Sequence, residues 1–219
     1  ALSEAYKVLE MLGAVNEQLQ ITKNGRSMSK IPLHPRLAKI ILAGGKDATL
    51  LASILSNGEP LNNTDNSDIN VRIYSIKNYQ NQKSDSSYSL KAPIVREIIK
   101  EKSRLSKHLT SQSDYTVAQL AALAYPDRIG KRREGKAPRY ILSNGKGAIM
   151  AESDALRSVP FLVACNLDGN LQEAKIRQCL PIKLSEIKEL FGKQIISKQT
   201  CEWSKRQKKV LTNEQERLG

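Results

Sequence analysis

The sequence contains few of the residues that build disulfide frameworks or metal sites. It has three cysteines and two histidines among 219 residues. The cysteines, Cys165, Cys179 and Cys201, are odd in number, widely spaced and without a C-x-x-C pair. This pattern argues against a disulfide scaffold or a zinc site and favours a reducing compartment. We therefore expect no metal site and a cytoplasmic location.

Long apolar runs and acidic residues are also scarce. No apolar run approaches the roughly 20 residues that span a bilayer, and no signal peptide opens the chain. The 35 lysines and arginines outnumber the 22 acidic residues, which gives a formal charge of +13. A basic excess raises the local concentration of polyanions. Because the excess is clustered and no basic, strongly apolar helix of the membrane-binding kind is evident, it favours nucleic acid over a membrane or simple solubility charge.

The first residues predict the end of a winged-helix module. An apolar stripe from Leu2 to Leu12 predicts a helix that ends at Gly13. Residues 18–22 alternate as a short strand would, and Asn24-Gly25 is a turn pair. The earlier helices of such a module are absent and residue 1 already lies in a helical pattern. We therefore expect the chain to be a piece of a longer protein.

Residues 25–42 contain the most informative pattern of the chain. Pro32 and Pro35 fix their own φ and keep the residue before each of them out of the α region. Residues 31–35 are therefore predicted to form an extended elbow. A helix with one apolar face follows from Arg36.

Helical periodicity continues as far as residue 125. Predicted helices cover residues 36–43, 47–56, 92–109 and 116–125, with Asp47 as a cap of the second. Ile69, Ile73 and Ile76 fit a helix, although residues 69–73 also alternate as a strand would. Residues 57–67 are predicted to be a loop, and residues 78–89 to be disordered because they carry almost no apolar side chains. The helices together predict an all-α bundle.

The periodicity changes to two after Pro126. Strands are predicted at residues 139–142, 147–150, 161–167, 171–180 and 194–203, with a helix at 184–191. Five short strands with small helices fit an OB-fold barrel better than a sandwich. The predicted fold class is α+β, with the end of a winged helix and an all-α bundle followed by a β-barrel (OB-fold-like) domain.

A basic segment, residues 125–144, opens the barrel part. Its cations are Arg128, Lys131, Arg132, Arg133, Lys136 and Arg139. Guanidinium groups bind phosphate in bidentate fashion, and the flanking Tyr125 and Tyr140 are candidates for stacking on bases. A solvated loop without a specific role is the alternative, and on charge alone the two are nearly even. Trp203 beside Lys205 and Arg206 is a second candidate stacking platform, or else a barrel-edge anchor.

Other reactive side chains have structural interpretations. Asp127 is predicted to hold the basic loop through an ion pair with Arg128. His34 is predicted to be a hydrogen-bonding group of the elbow, and Cys165 a small core residue. Asp168 begins a predicted hairpin turn. We expect no catalytic residue in this chain.

Several motifs resemble DEAH-box ATP-dependent helicases of the bacterial HrpB type. The start of that family's helicase-associated domain matches Thr22, Gly25, Met28, Pro32, Pro35, Arg36, Leu37 and Ala38. The start of its OB-fold matches YPDRI from Tyr125, Arg132-Arg133, Tyr140 and Leu142-Ser143-Asn144-Gly145. A later strand pair matches FLVACNLDG from Phe161 and EAKIR from Glu173. The resemblance runs from about Leu9 to Ile182, departs mainly in residues 57–89, and favours a helix at residues 69–76.

The resemblance implies three parts: residues 1–30 as a partial winged helix, 31–125 as the helicase-associated helical bundle, and 126–219 as the OB-fold-like domain. It implies a parent enzyme that couples ATP hydrolysis to movement on single-stranded RNA or DNA. ATP and Mg²⁺ would bind to RecA-like motor domains of the same parent chain. The present sequence has no G-x-x-x-x-G-K-[ST] loop, so we expect it to hold no cofactor and to be inactive as an ATPase.

The partner predicted for this chain is single-stranded RNA or DNA, which it would grip while the motor steps. No membrane partner is predicted. The predicted contacts are Arg128, Lys131, Arg132, Arg133, Arg139, Tyr140, Lys205 and Arg206. A stand-alone RNA-binding OB-fold adaptor and a protein-interaction domain are the alternatives.

Overall fold

The computed structural model describes residues 2–62, 65–82, 88–109, 112–170, 173–204 and 209–218, with side chains in these ranges except at 197–217. The chain begins with helix α1 (Leu2–Met11) and helix α2 (Lys23–Ser29). Gly13 has a φ of +70° and ends the first helix, as predicted. No helix in the described ranges is long and apolar enough to cross a membrane.

The strand and turn predicted before the elbow are wrong. Residues 18–22 contribute a single bridge, Val15 to Ile21, because Asn16 accepts the backbone N–H groups of Gln18 and Gln20 in a tight loop. Asn24-Gly25 lies within α2 and is not a turn. Thr22 begins that helix as its N-cap, since its hydroxyl accepts the Gly25 N–H at 3.0 Å.

A bundle of five helices follows the elbow. They are α3 (Pro35–Ala43), α4 (Ala48–Ser56), α5 (Ile69–Gln80), α6 (Ala92–Leu105, continued by a 3-10 turn at Ser106–His108) and α7 (Val117–Ala124). The ambiguous Ile69 segment is helical, capped by the Asp68 side chain. Asp47 is not a side-chain cap of α4, because its carboxylate pairs with Lys77 at 2.7 Å. Disorder was predicted for residues 78–89, which is wrong for residues 78–80 because they belong to α5, and residues 83–87 lie outside the described residues.

The second part is a closed five-stranded barrel. Its strands are β1 (Ile129–Arg132), β2 (Arg139–Leu142), β3 (Gly147–Ile149), β4 (Phe161–Leu167) and β5 (Glu173–Pro181), in the order β1-β2-β3-β5-β4. The β3–β5 pair is parallel and the other pairs are antiparallel. The predicted α+β class with an OB-fold-like barrel is therefore confirmed.

The identity of the fifth barrel strand was predicted wrongly. The strand predicted at residues 194–203 exists as β6 (Ile195–Ser204), but within the described residues it pairs only with β7 (Lys209–Leu218), in a separate two-stranded sheet. The strand that closes the barrel is β1, inside the segment that charge alone marks as a loop. In chain order, helix α8 (Leu184–Phe191) lies between the last barrel strand and this two-stranded sheet.

Two apolar clusters form the core. The smaller cluster fills the barrel and includes Tyr140, Leu142 and Leu162. The larger one runs from the end of α1 through the bundle onto the outer face of the barrel, where it includes Ile129 and Val163. Packing is thus continuous across the predicted boundary near residue 125, and the division into residues 1–30, 31–125 and 126–219 stays a prediction.

Candidate nucleic-acid interface

A buried ion pair joins the two most informative motifs of the sequence. Arg36, in the first turn of α3, donates from both terminal nitrogens to Asp127, at 2.6 and 2.9 Å. The same guanidinium donates to the Ala124 carbonyl at 2.8 Å. The Arg36 and Asp127 side chains are only 8% and 12% exposed. This contact, which we call the joint, fixes the end of α7 and the start of β1 to the elbow.

Tyr125 lies between two cations at the joint. The guanidinium carbons of Arg36 and Arg128 are 4.9 and 5.3 Å from its ring centroid, within the range of a cation–π contact. Burial is the main cause that raises the Tyr125 pKa to about 12. Since Tyr125 is 7% exposed, its ring is part of the joint and is not available to a base.

His34 and the turn after β2 complete the joint. His34 Nδ1 accepts the Arg36 N–H at 3.3 Å and caps α3, so the predicted elbow role is confirmed. Burial, then Arg36 and Arg128, lowers the His34 pKa, which keeps the ring neutral as an acceptor. On the barrel side, the Ser143 hydroxyl donates to the Pro126 carbonyl at 2.5 Å.

Arg128 belongs mainly to the joint, and only a part of its side chain is exposed. Its side chain is 29% exposed and its Nε is 3.9 Å from Asp127. It also donates to the Cys165 carbonyl at 3.4 Å. The predicted Asp127–Arg128 pair thus exists, but Arg36 is the closer partner of Asp127.

Strand β1 places its cations on two different faces of the barrel. Ile129 pairs with Val163 and Lys131 with Phe161, so these side chains share the outer face. Gly130, between them, points inward, where an added Cβ would meet Leu142 at 3.1 Å. Lys131 is exposed on this outer face.

The loop after β1 is held by Arg132. Its guanidinium donates to the carbonyls of Arg157, Arg133 and Gly135, at 3.0, 3.4 and 3.2 Å. Arg132 therefore shapes the loop that presents Arg133 and Lys136, both of which are exposed. Of the described ion pairs, none includes Lys131, Arg133 or Lys136.

Two further predicted residues are engaged elsewhere. Arg139 is 54% exposed and pairs with Glu173 at 3.3 Å, a surface contact that contributes little to stability. Tyr140 is fully buried inside the barrel, where its hydroxyl lies 3.2 and 3.1 Å from the Leu156 and Val159 carbonyls. Its predicted role in stacking on a base is therefore wrong, because its ring belongs to the barrel core.

The nucleic-acid contacts predicted near the C-terminus are not among the described residues. Lys205 and Arg206 are outside the described residues, and so is the side chain of Trp203. Cys165 is a buried free thiol, as predicted, and burial raises its pKa. Among the described residues, no group of three or more His, Cys, Asp or Glu side chains has the arrangement of a metal site.

A second buried polar link was missed from the sequence. Arg72, 2% exposed, donates to Glu59 at 2.7 Å, and Glu59 also accepts from Gln178 of β5 at 3.1 Å. The sequence did contain a signal for this burial, namely the position of each arginine relative to the apolar residues of its helix. Arg72 lies three residues after Ile69 and four before Ile76, and Arg36 lies four before Ile40, so each arginine falls on the buried stripe of its helix.

The combination of a helical bundle and an OB-type barrel also occurs in known helicases. Residues 5–33 match the family model described as Helicase associated domain (HA2), winged-helix. The chain is 28% identical over 206 residues to the ATP-dependent RNA helicase HrpB of Escherichia coli K12. The aligned region covers 92% of this chain and 24% of HrpB. The predicted resemblance to HrpB-type DEAH-box helicases is thereby confirmed.

Other comparisons agree with this result. The crystal structure of the E. coli DExH-box NTPase HrpB matches all of this chain with a TM-score of 0.75 and 26% identity, over 26% of that structure. The probable ATP-dependent RNA helicase DHR1 of Saccharomyces cerevisiae is 40% identical over 68 residues, which are 29% of this chain and 5% of DHR1. The chain thus spans about a quarter of the length of HrpB and a small part of DHR1.

Proposed function

We propose that this chain grips single-stranded RNA or DNA as an accessory region of an HrpB-like, ATP-dependent helicase. The grip is formed by the basic edge, which we define as Lys131, Arg133 and Lys136. RecA-like motor domains of the same parent chain bind ATP and Mg²⁺ and move the strand. The relatives' names as ATP-dependent RNA helicases support this assignment, as does the high positive charge. The parent protein is then a cytoplasmic enzyme.

The observation that carries the proposal is the exposure of the basic edge beside a rigid joint. Exposed cations on a strand and its loop can bind successive phosphates, whereas Arg132 and Arg128 position this surface through carbonyl and ring contacts. Arg139 adds a fourth cation when it releases Glu173. Binding of this kind reads the backbone and is poor in base specificity.

The test is a titration of the 219-residue chain with fluorescent single-stranded RNA and DNA over a salt series. We compare it with Lys131→Ala/Arg133→Ala and with Lys23→Ala/Arg26→Ala, a control of equal charge loss on the exposed face of α2. Each lost phosphate contact lowers the salt slope by about 0.7 for a single strand, so the first variant should lose about 1.4. The control should keep most of its slope.

The result also separates the alternatives. A preference for RNA or DNA in the unmodified chain identifies the strand. Equal losses in the two variants would mean that binding follows net charge and not the basic edge. Absence of binding at low salt would overturn the proposal and favour a protein-interaction domain.

A further inference from the structure

A groove of about 960 Å³ lies at the seam between the helical bundle and the barrel. Its barrel side is formed by Pro160, Phe161 and Pro181, and its helical side by Tyr115 and Val117. We propose that this groove accepts unstacked bases of the single strand held by the basic edge. The inference rests on the proposed function and adds to it a site for the base, where the basic edge binds only the backbone.

The groove begins where the basic edge ends. Lys131 pairs with Phe161 across β1 and β4, so their side chains are neighbours on the outer face. The backbone N–H of Arg132 donates to the Pro160 carbonyl at 2.8 Å. A strand whose phosphates lie on the basic edge near Lys131 therefore has its bases within reach of the apolar wall.

The rim of the groove carries charges of both signs. Lys46 and Lys183 line it and are exposed. Two of its three acids are already engaged. Asp47 pairs with Lys77 at 2.7 Å, and Glu186 accepts the Thr116 hydroxyl at 2.7 Å and the Lys183 N–H at 2.9 Å. Asp114 is the third acid and is exposed. Lys46 and Lys183 can each pair with a phosphate that crosses the rim, whereas Asp114 would repel it.

The wall of the groove suits a nucleobase. Tyr115 is 38% exposed and Phe161 is half-buried, and aromatic side chains stack on any base. The Ser113 hydroxyl is buried in the same wall and has no hydrogen-bond partner among the described residues. A hydroxyl both donates and accepts, but this oxygen has almost no accessible surface, so a base reaches it only if the wall shifts when the strand binds. An apolar slot with aromatic side chains in its wall and two lysines at its rim fits a base better than a phosphate alone.

The test compares intact and abasic single-stranded oligonucleotides of equal length, at fixed salt, on the 219-residue chain. Tyr115→Ala should weaken binding of the intact strand about tenfold and leave binding of the abasic strand unchanged. Tyr115→Phe should restore the affinity because it keeps the ring. Tyr74→Ala, at a tyrosine 56% exposed on α5 and outside the groove lining, is the matched control and should have no effect.

A second variant guards against local unfolding in the first. Leu184 is 43% exposed at the rim, and the uncharged substitution Leu184→Gln should also weaken the intact strand selectively. Equal affinity of intact and abasic strands, with a steep salt slope, would overturn the groove and leave the proposed function standing. Failure of both strands to bind would overturn the two together, and a peptide would then be the occupant to seek.

Discussion

At the scale of single residues, the joint shows how a charged side chain becomes part of a core. Arg36 and Asp127 lie 91 positions apart and are almost fully enclosed. Enclosing them is costly, and the cost is offset only because each terminal nitrogen and each carboxylate oxygen has a partner. Removing one partner leaves the other as an uncompensated buried charge.

Asp127→Ala should therefore lower the free energy of unfolding by about 3 kcal/mol or more. Urea denaturation followed by circular dichroism measures this loss. The control is Glu101→Ala, which breaks a surface pair with the 52% exposed Arg104 and should cost less than about 1 kcal/mol. The double variant Arg36→Met/Asp127→Leu should recover much of the stability, because it removes both charges. A double variant as unstable as Asp127→Ala would contradict this account.

The sequence indicated the motifs at the joint but not their contact. Arg36 and Asp127 were each singled out, within a proline elbow and a basic loop, yet local patterns carry no information on a pair so distant in the chain. The prediction that Tyr140 stacks on a base was wrong for a related reason. An aromatic residue among cations looks like a stacking platform, and only the alternation along β2, with Tyr140 and Leu142 inside the barrel, shows that it faces the core.

At the scale of elements, α2 depends on a glycine for close packing. A Cβ on Gly25 would lie 2.0 Å from the carbonyl oxygen of Ala14 and 2.9 Å from Ile21. Backbone therefore approaches backbone where α2 meets the turn after α1. Thr22 strengthens this contact, since its hydroxyl donates to the Gly13 carbonyl at 2.6 Å.

Gly25→Ala should cost about 2 kcal/mol or more, because the backbone of the Gly13–Ala14 turn must move. Thermal and urea unfolding both measure the loss. Gly192→Ala is the matched control, since an added Cβ there meets nothing within 4 Å and its φ of −53° suits any residue. The control should change stability by less than about 0.5 kcal/mol. Similar losses in the two variants would exclude steric conflict as the cause.

Helices were predicted more reliably than strands in this chain. The helix of residues 35–43 has several apolar residues on one face and a proline at its start, which are strong local signals. Strand β1 has the sequence IGKR, with one apolar side chain, and depends on pairing with β2 and β4. The short loop at residues 18–22 alternates like a strand, but Leu19 has a φ of +60°, which a strand does not allow.

At the scale of the whole molecule, the bundle and the barrel share one core. The larger cluster includes Leu50 and Ile54 of α4 as well as Val163 and Leu180 of the barrel. Composition and periodicity indicated the change from helix to strand at residue 126. They could not show that the outer face of the barrel is also apolar and covered, because that depends on which strands lie side by side.

We expect bundle and barrel to unfold in a single transition. Leu50→Ala in the bundle and Leu142→Ala in the barrel should each cost about 2–5 kcal/mol and lower the midpoints of both parts together. Hydrogen exchange of peptides from α4 and β2, over a denaturant series, reports on the two parts separately. A barrel that keeps its midpoint in Leu50→Ala would instead support independent domains.

The joint also constrains how such a chain can change over time. Since a substitution at position 36 or 127 alone leaves an uncompensated buried charge, we expect the two positions to change together. If the barrel were fused to a different helical bundle, that bundle would need an arginine at the position equivalent to Arg36. For protein engineers, the smallest portable piece of this region is therefore the barrel together with the proline elbow far upstream.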